Sequence, residues 1–93
     1  MIAQDGHNVH LLKTEPKPFR DTLKGIKNFE YRKNDRNFKT GDFAVLKEYY
    51  PDTEKFSNRN LLVHITCVYK NCYGIPEGYC AMGIRALGVD RDV

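Results

Sequence analysis

The sequence predicts an α+β fold: a small, partly closed mixed β-barrel of about five strands with one short helix. Three observations predict it. The chain has 93 residues, which make one domain. Five segments carry strand patterning between clusters of turn-forming residues. One short stretch between the first two strands has a helical start, a helical spacing and a stop. Five strands in so short a chain curl to hide their edges. Apolar residues at 41% and charged residues at 29% suit a folded domain and not a disordered one. A chain of this length buries roughly 60–65% of its unfolded surface, enough for a single modest core.

The elements follow in order. Residues 1–6, MIAQDG, read as a loose terminus, and the domain runs from 7 to 87. HNVHLL, His7 to Leu12, alternates in strand fashion. Two prolines in KTEPKP interrupt the chain, and Pro18 then opens a helix over PFRDTLKG. Phe19 and Leu23 share one face of it, and Gly25 ends it. A helix this short is not stable alone and must dock that face on a sheet. Lys27 to Arg32 has period two, with Phe29 and Tyr31 on one side and Glu30 and Arg32 on the other. Residues 33–42 form a turn-rich loop. FAVLKEYY, Phe43 to Tyr50, is a strand whose apolar run predicts burial on both faces at Ala44 to Leu46. Residues 51–60 read as a polar connection, plausible as a long hairpin loop. Leu61 to Tyr69 is a strand with β-branched residues at its centre. The glycine- and proline-bearing stretch 70–79 is a loop, Cys80 to Leu87 a last strand, and 88–93 a frayed tail.

The bulk properties exclude several classes. No apolar run reaches the length of a membrane span, and residues 1–9 lack the basic start and greasy centre of a signal peptide. The expectation is a soluble cytoplasmic protein with no membrane partner. Cys67, Cys72 and Cys80 are odd in number, which argues against a disulfide framework and for reduced, packed thiols. Their spacings do not supply a zinc site, so neither a metal nor a cofactor is expected. His10 and His64 read as structural side chains within strands.

Charge is unevenly placed. The net charge is +3. Residues 24–39 carry six basic side chains against two acidic ones, so this segment holds +4 and the other 77 residues together −1. A concentrated positive segment suits an anion-facing patch; a solvated strand and loop suit it equally.

The ordered string HLLKTEPKPFRDTLKGIKNFEYRKNDRNFKTGDFAVL, His10 to Leu46, resembles the ASCH branch of the PUA-like superfamily, in particular small bacterial and phage-borne members. The elements that match are His10 and Lys13, Gly25 and Lys27 of Gly-x-Lys, Phe29-Glu30-x-Arg32-Lys33-Asn34-Asp35-Arg36, and Gly41-Asp42 before a hydrophobic strand. Tyr73-Gly74 and Gly78-Tyr79 near the end match as well. The resemblance implies a PUA-like pseudo-barrel with a cleft beside the helix and the Gly-x-Lys strand, where relatives bind RNA or modified nucleotides. One similar lineage is an amidohydrolase that deacetylates acetylated cytidine nucleosides. Its lysine of Gly-x-Lys is catalytic, which corresponds to Lys27, and its nucleophilic threonine lies three residues on, where this chain has Glu30. A carboxylate lacks the hydroxyl that such acyl transfer uses, so a hydrolase here would employ Glu30 as general base with Lys27.

Glu30 and Arg32, two apart on a strand, point the same way. A carboxylate accepts from the amino edge of a base, and a guanidinium grips phosphate or base in bidentate fashion. A strand salt bridge of small energetic worth is the alternative. The expected nucleic-acid-binding set is Lys13, Lys27, Glu30, Arg32, Lys33, Asn34 and Arg36, with RNA or a modified nucleotide as partner. Tyr69, Tyr73 and Tyr79 could stack on bases or close the barrel end. The other readings are the small hydrolase and a protein-interaction factor whose basic strand meets an acidic partner.

Overall fold

Alternation of apolar and polar side chains organises three consecutive strands, β3 (Phe43–Tyr50), β4 (Lys55–Tyr69) and β5 (Tyr79–Arg91), into an antiparallel meander. The computed structural model describes residues 6–91, with side chains through residue 89. Strand β1 (Val9–Thr14) adds to β3 in parallel, and β2 (Phe29–Lys33) adds to β5 antiparallel, giving the order β1-β3-β4-β5-β2. This mixed five-stranded sheet curls into a half-barrel, with helix α1 (Pro16–Leu23) against its concave side. The α+β pseudo-barrel read from the sequence is therefore the fold. Its interior is lined by Leu12 of β1, Ala44 and Leu46 of β3, Leu61, Val63 and Ile65 of β4, and Cys80, Met82 and Ile84 of β5. Phe19 from α1 and Phe38 from the loop before β3 close the cluster.

The helix begins two residues earlier than the sequence reading placed it. Pro16 and Pro18 both sit in the first turn, where a missing N–H forfeits no helical bond, and the Phe19 amide already donates to the Glu15 carbonyl at 3.0 Å. The chain leaves the helix as expected. Gly25 takes φ +78°, and the amides of Gly25 and Ile26 satisfy the carbonyls of Thr22 and Asp21. The buried face is Phe19 with Thr22, not Phe19 with Leu23. Thr22 hides its hydroxyl by donating to the Pro18 carbonyl at 2.8 Å, while Leu23 stays exposed.

Other expectations differ too: β1 runs Val9–Thr14 where His7 to Leu12 was expected, and β2 runs Phe29–Lys33 where Lys27 to Arg32 was expected. Residues 51–60 are mostly strand: a four-residue turn, 51–54, leads into β4 at Lys55. Their polarity reflects a hairpin tip exposed on both faces, held by Tyr49 against Phe56 with ring centroids 5.0 Å apart. Residues 88–91 are not frayed; they continue β5 and pair with 59–62 of β4. The remainder of that tail and residues 1–5 lie outside the described residues. Strand β3 is buried on one face only, at Ala44, Leu46 and Glu48, while Val45 between them is half-buried. One glycine is required by close approach. A Cβ at Gly83 would lie 2.6 Å from Thr66 Oγ1 and 2.9 Å from Cys67 Sγ, where β4 bulges over β5.

Two polar clusters lie inside this frame. Asp42 is buried and accepts from the Asn8 amide at 3.0 Å, the His10 Nε2–H at 2.9 Å and the Lys39 amide at 3.1 Å. It ties β1 to the loop that enters β3. Burial pushes the Asp42 carboxyl up, but the bonds from His10 and the two amides outweigh it and hold the group below its ordinary value. Glu48, also buried, receives Arg59 in a two-pronged pair at 3.1 Å through both Nε and Nη2. The hydrogen bonds of Arg59 lower the Glu48 carboxyl against the effect of burial. The Arg59 guanidinium in turn lies 5.1 Å from the Phe19 ring centroid, so β4 reaches over the helix.

Candidate binding cleft

The end of β1, the start of α1, Lys27 and the first four residues of β2 line a concave cleft of about 350 Å³. It is lined by Lys13, Thr14 and Glu15, by Pro18, and by Lys27, Phe29, Glu30, Tyr31 and Arg32. Strand parity decides what β2 shows to it. Glu30 and Arg32 pair with Met82 and Cys80 of β5, both core residues, so they stand on the inner face of the sheet. Phe29, Tyr31 and Lys33 stand on the outer face and are exposed. The two charged side chains Glu30 and Arg32 of β2 therefore face inward and its two aromatics outward.

Glu30 is 5% exposed and is held from two sides. Arg32 Nε donates to its Oε1 at 2.8 Å, and the Lys27 ammonium donates to its Oε2. Lys27 also donates to the Phe29 carbonyl and lies 4.9 Å from the centroid of that ring. Arg32 extends the chain of bonds across the cleft, its Nη2 donating to the Lys13 carbonyl at 2.9 Å and to Thr14 Oγ1 at 3.3 Å. A buried carboxylate is tolerable only when paired and hydrogen-bonded, and here two cations neutralise it. The trio carries +1 overall. A carboxylate offers four lone-pair directions, so Glu30 keeps acceptor capacity toward the cleft, as Lys27 keeps donor capacity.

The arginines also close the open side of the half-barrel. Strands β1 and β2 are the two ends of the sheet and share no ladder. Arg32 reaches the Lys13 carbonyl, and Arg36 Nη1 donates to the Leu11 carbonyl at 2.8 Å. Guanidinium groups from β2 and the loop after it thus bind main-chain oxygens of β1.

Of the residues expected from the sequence, Lys13, Lys27, Glu30 and Arg32 line the cleft, and Lys33, Asn34 and Arg36 do not. Lys33 stands on the outer face. The side-chain oxygen of Asn34 accepts from the Phe38 amide at 2.9 Å, which shapes the loop. Arg36 is committed to β1. The Lys13 ammonium lies 4.6 Å from the Tyr49 ring centroid on β3. Sequence reasoning did not find Glu15, Pro18, Phe29 or Tyr31 as lining residues. No sequence signal marks the two aromatics as lining residues, because alternation places them on the face opposite Glu30 and Arg32. Among the described residues no group of three or more histidine, cysteine or acidic side chains is placed to hold a metal ion. No helix among them is long and apolar enough to cross a membrane.

A family model described as a domain of unknown function (DUF3850) matches residues 9–84. The chain belongs to this family. The DUF3850 match begins with the first residue of β1 and ends within β5, so it takes in every residue that lines the cleft. No curated protein matches the chain.

Proposed function

We propose that this DUF3850 chain is a PUA-like domain of the ASCH type that binds RNA or a modified nucleotide in the cleft. The observation that carries the reading is the joining of Lys27, Glu30 and Arg32 at the floor of a hollow whose rim bears Phe29 and Tyr31. A planar base fits against exposed rings, a carboxylate accepts from its exocyclic amine, and the cations beside it favour a phosphate. The volume lies at the lower end for small-ligand sites, which suits one nucleotide. The test is titration of short single-stranded RNAs at two salt concentrations. With about four phosphate contacts the log–log slope is near −3. Absence of binding, or a slope near zero, counts against the proposal.

A second reading rests on the direct contact between Lys27 and Glu30. An ammonium and a carboxylate in contact at a cleft floor form a proton-transfer pair, which suits hydrolysis of a modified nucleoside. Incubation with acetylated cytidine decides it. Turnover that Lys27→Ala abolishes supports the reading; no turnover removes it.

A further inference from the structure

We propose that the cleft's partner is single-stranded RNA at least three nucleotides long, whose flanking bases stack on tyrosines of the outer sheet face. The inference rests on the nucleotide-binding reading of the cleft and extends it. Strand register supplies the argument. Tyr31 of β2 and Tyr69 of β4 both pair with Ala81 of β5, so the two tyrosines lie in one row on one face. They stand roughly 10 Å apart, two strand spacings, with only a methyl group between them. Each keeps about half its surface in solvent, at 52% and 51%.

Two further tyrosines lie beside the row, Tyr79 at the start of β5 and Tyr73 in the loop between β4 and β5. Tyr79 stacks on Tyr31 with centroids 5.7 Å apart and planes 22° apart. Tyr73 meets Tyr69 edge-on at 6.0 Å and is 87% exposed. Tyr73 sits at φ +51°, a left-handed conformation that bulky residues rarely adopt, and the loop carries its ring outward. Phe29, 53% exposed, stands beside Tyr31, and both belong to the cleft rim as well as to this face. The stacking surface is therefore continuous with the site.

The chemistry favours nucleic acid over protein. The exposed apolar groups here are rings, which present flat faces to any base regardless of sequence. Lys33 lies opposite Tyr79 and Lys70 follows Tyr69, both exposed, so cations flank the row where a phosphate chain would pass. A strand leaving the cleft over Phe29 and Tyr31 would meet these rings in succession.

Fluorescence anisotropy with labelled random-sequence RNAs of two, four and eight nucleotides tests the proposal, alongside equilibrium dialysis with the four ribonucleoside monophosphates. The expected result is affinity that rises at least about tenfold between a monophosphate and the four-nucleotide RNA. The double variant Tyr69→Ala/Tyr73→Ala should then bind the eight-nucleotide RNA about 10–100-fold more weakly. Its monophosphate binding should stay unchanged, and the corresponding phenylalanine variant should restore RNA binding. Monophosphate binding with no gain from length overturns the inference and leaves the cleft reading standing. Failure of every nucleotide probe overturns both. Unaltered RNA affinity in the double alanine variant overturns the inference, and loss of a bound protein in that variant would assign the face to a protein partner.

Discussion

Glu30 is the residue on which the cleft turns. Its two oxygens hold Lys27 and Arg32, and Arg32 holds β1. Glu30→Gln keeps the shape but leaves two partly buried cations without their counter-charge. The expected cost is about 1–3 kcal/mol in urea unfolding, with RNA binding weakened more than Lys33→Ala weakens it. The pairing of Glu30 with Arg32 was legible in the sequence because residues two apart on a strand share a side. Its depth was not. Burial of Glu30 depends on β2 pairing with β5 in the register that sets Glu30 opposite Met82, and register between strands some fifty residues apart leaves no local trace. Asp42 was missed for the same reason. Gly-Asp before a strand reads as a turn, whereas the carboxylate's partners Asn8 and His10 lie 34 and 32 residues earlier in the chain.

Helix α1 shows how a short element is fixed by its contacts. Eight residues do not sustain a helix in water, so its stability comes from docking. Phe19 is fully buried and lies beneath the Arg59 guanidinium, whereas Leu23 is 37% exposed. Phe19→Ala should cost about 3–5 kcal/mol and Leu23→Ala under about 1 kcal/mol, compared by urea midpoints. Equal effects would contradict the docking described. From sequence, Leu23 was the expected partner of Phe19 because both are apolar and four apart. Thr22 wins because its hydroxyl is absorbed by the helix's own Pro18 carbonyl, leaving its methyl free to face the sheet. The strands were more legible than the helix wherever alternation was clean. They were least legible at the hairpin tip and at the end of β5, where the pairing of 59–62 with 88–91 joins main chain to main chain without an apolar alternation to mark it.

At the scale of the molecule, the buried carboxylates Asp42 and Glu48 shape the response to acid. Asp42 and Glu48 both titrate below their ordinary values of 3.8 and 4.5 when folded. The unfolded chain therefore takes up these protons first, and stability rises with pH across that range. Their contribution is complete above about pH 5 and is lost as the pH falls through the folded values. Urea midpoints should be flat from pH 7 to 5 and drop steeply below pH 4, with a shallower drop in Asp42→Asn. The parallel pairing of β1 with β3 has a different consequence, for the order of assembly. The 28 residues between these strands carry α1 and β2, so their union closes a long loop, whereas β3, β4 and β5 join through hairpins. Contact order predicts that the meander forms first and that β1, α1 and β2 join it afterwards. Native-state hydrogen exchange should accordingly open the amides of β1 and β2 at lower free energy than those at the centre of β4. The strands that wall the cleft are expected to join last, so under the proposed function a ligand bound there should favour completion of the fold and slow exchange in both flanking strands at once.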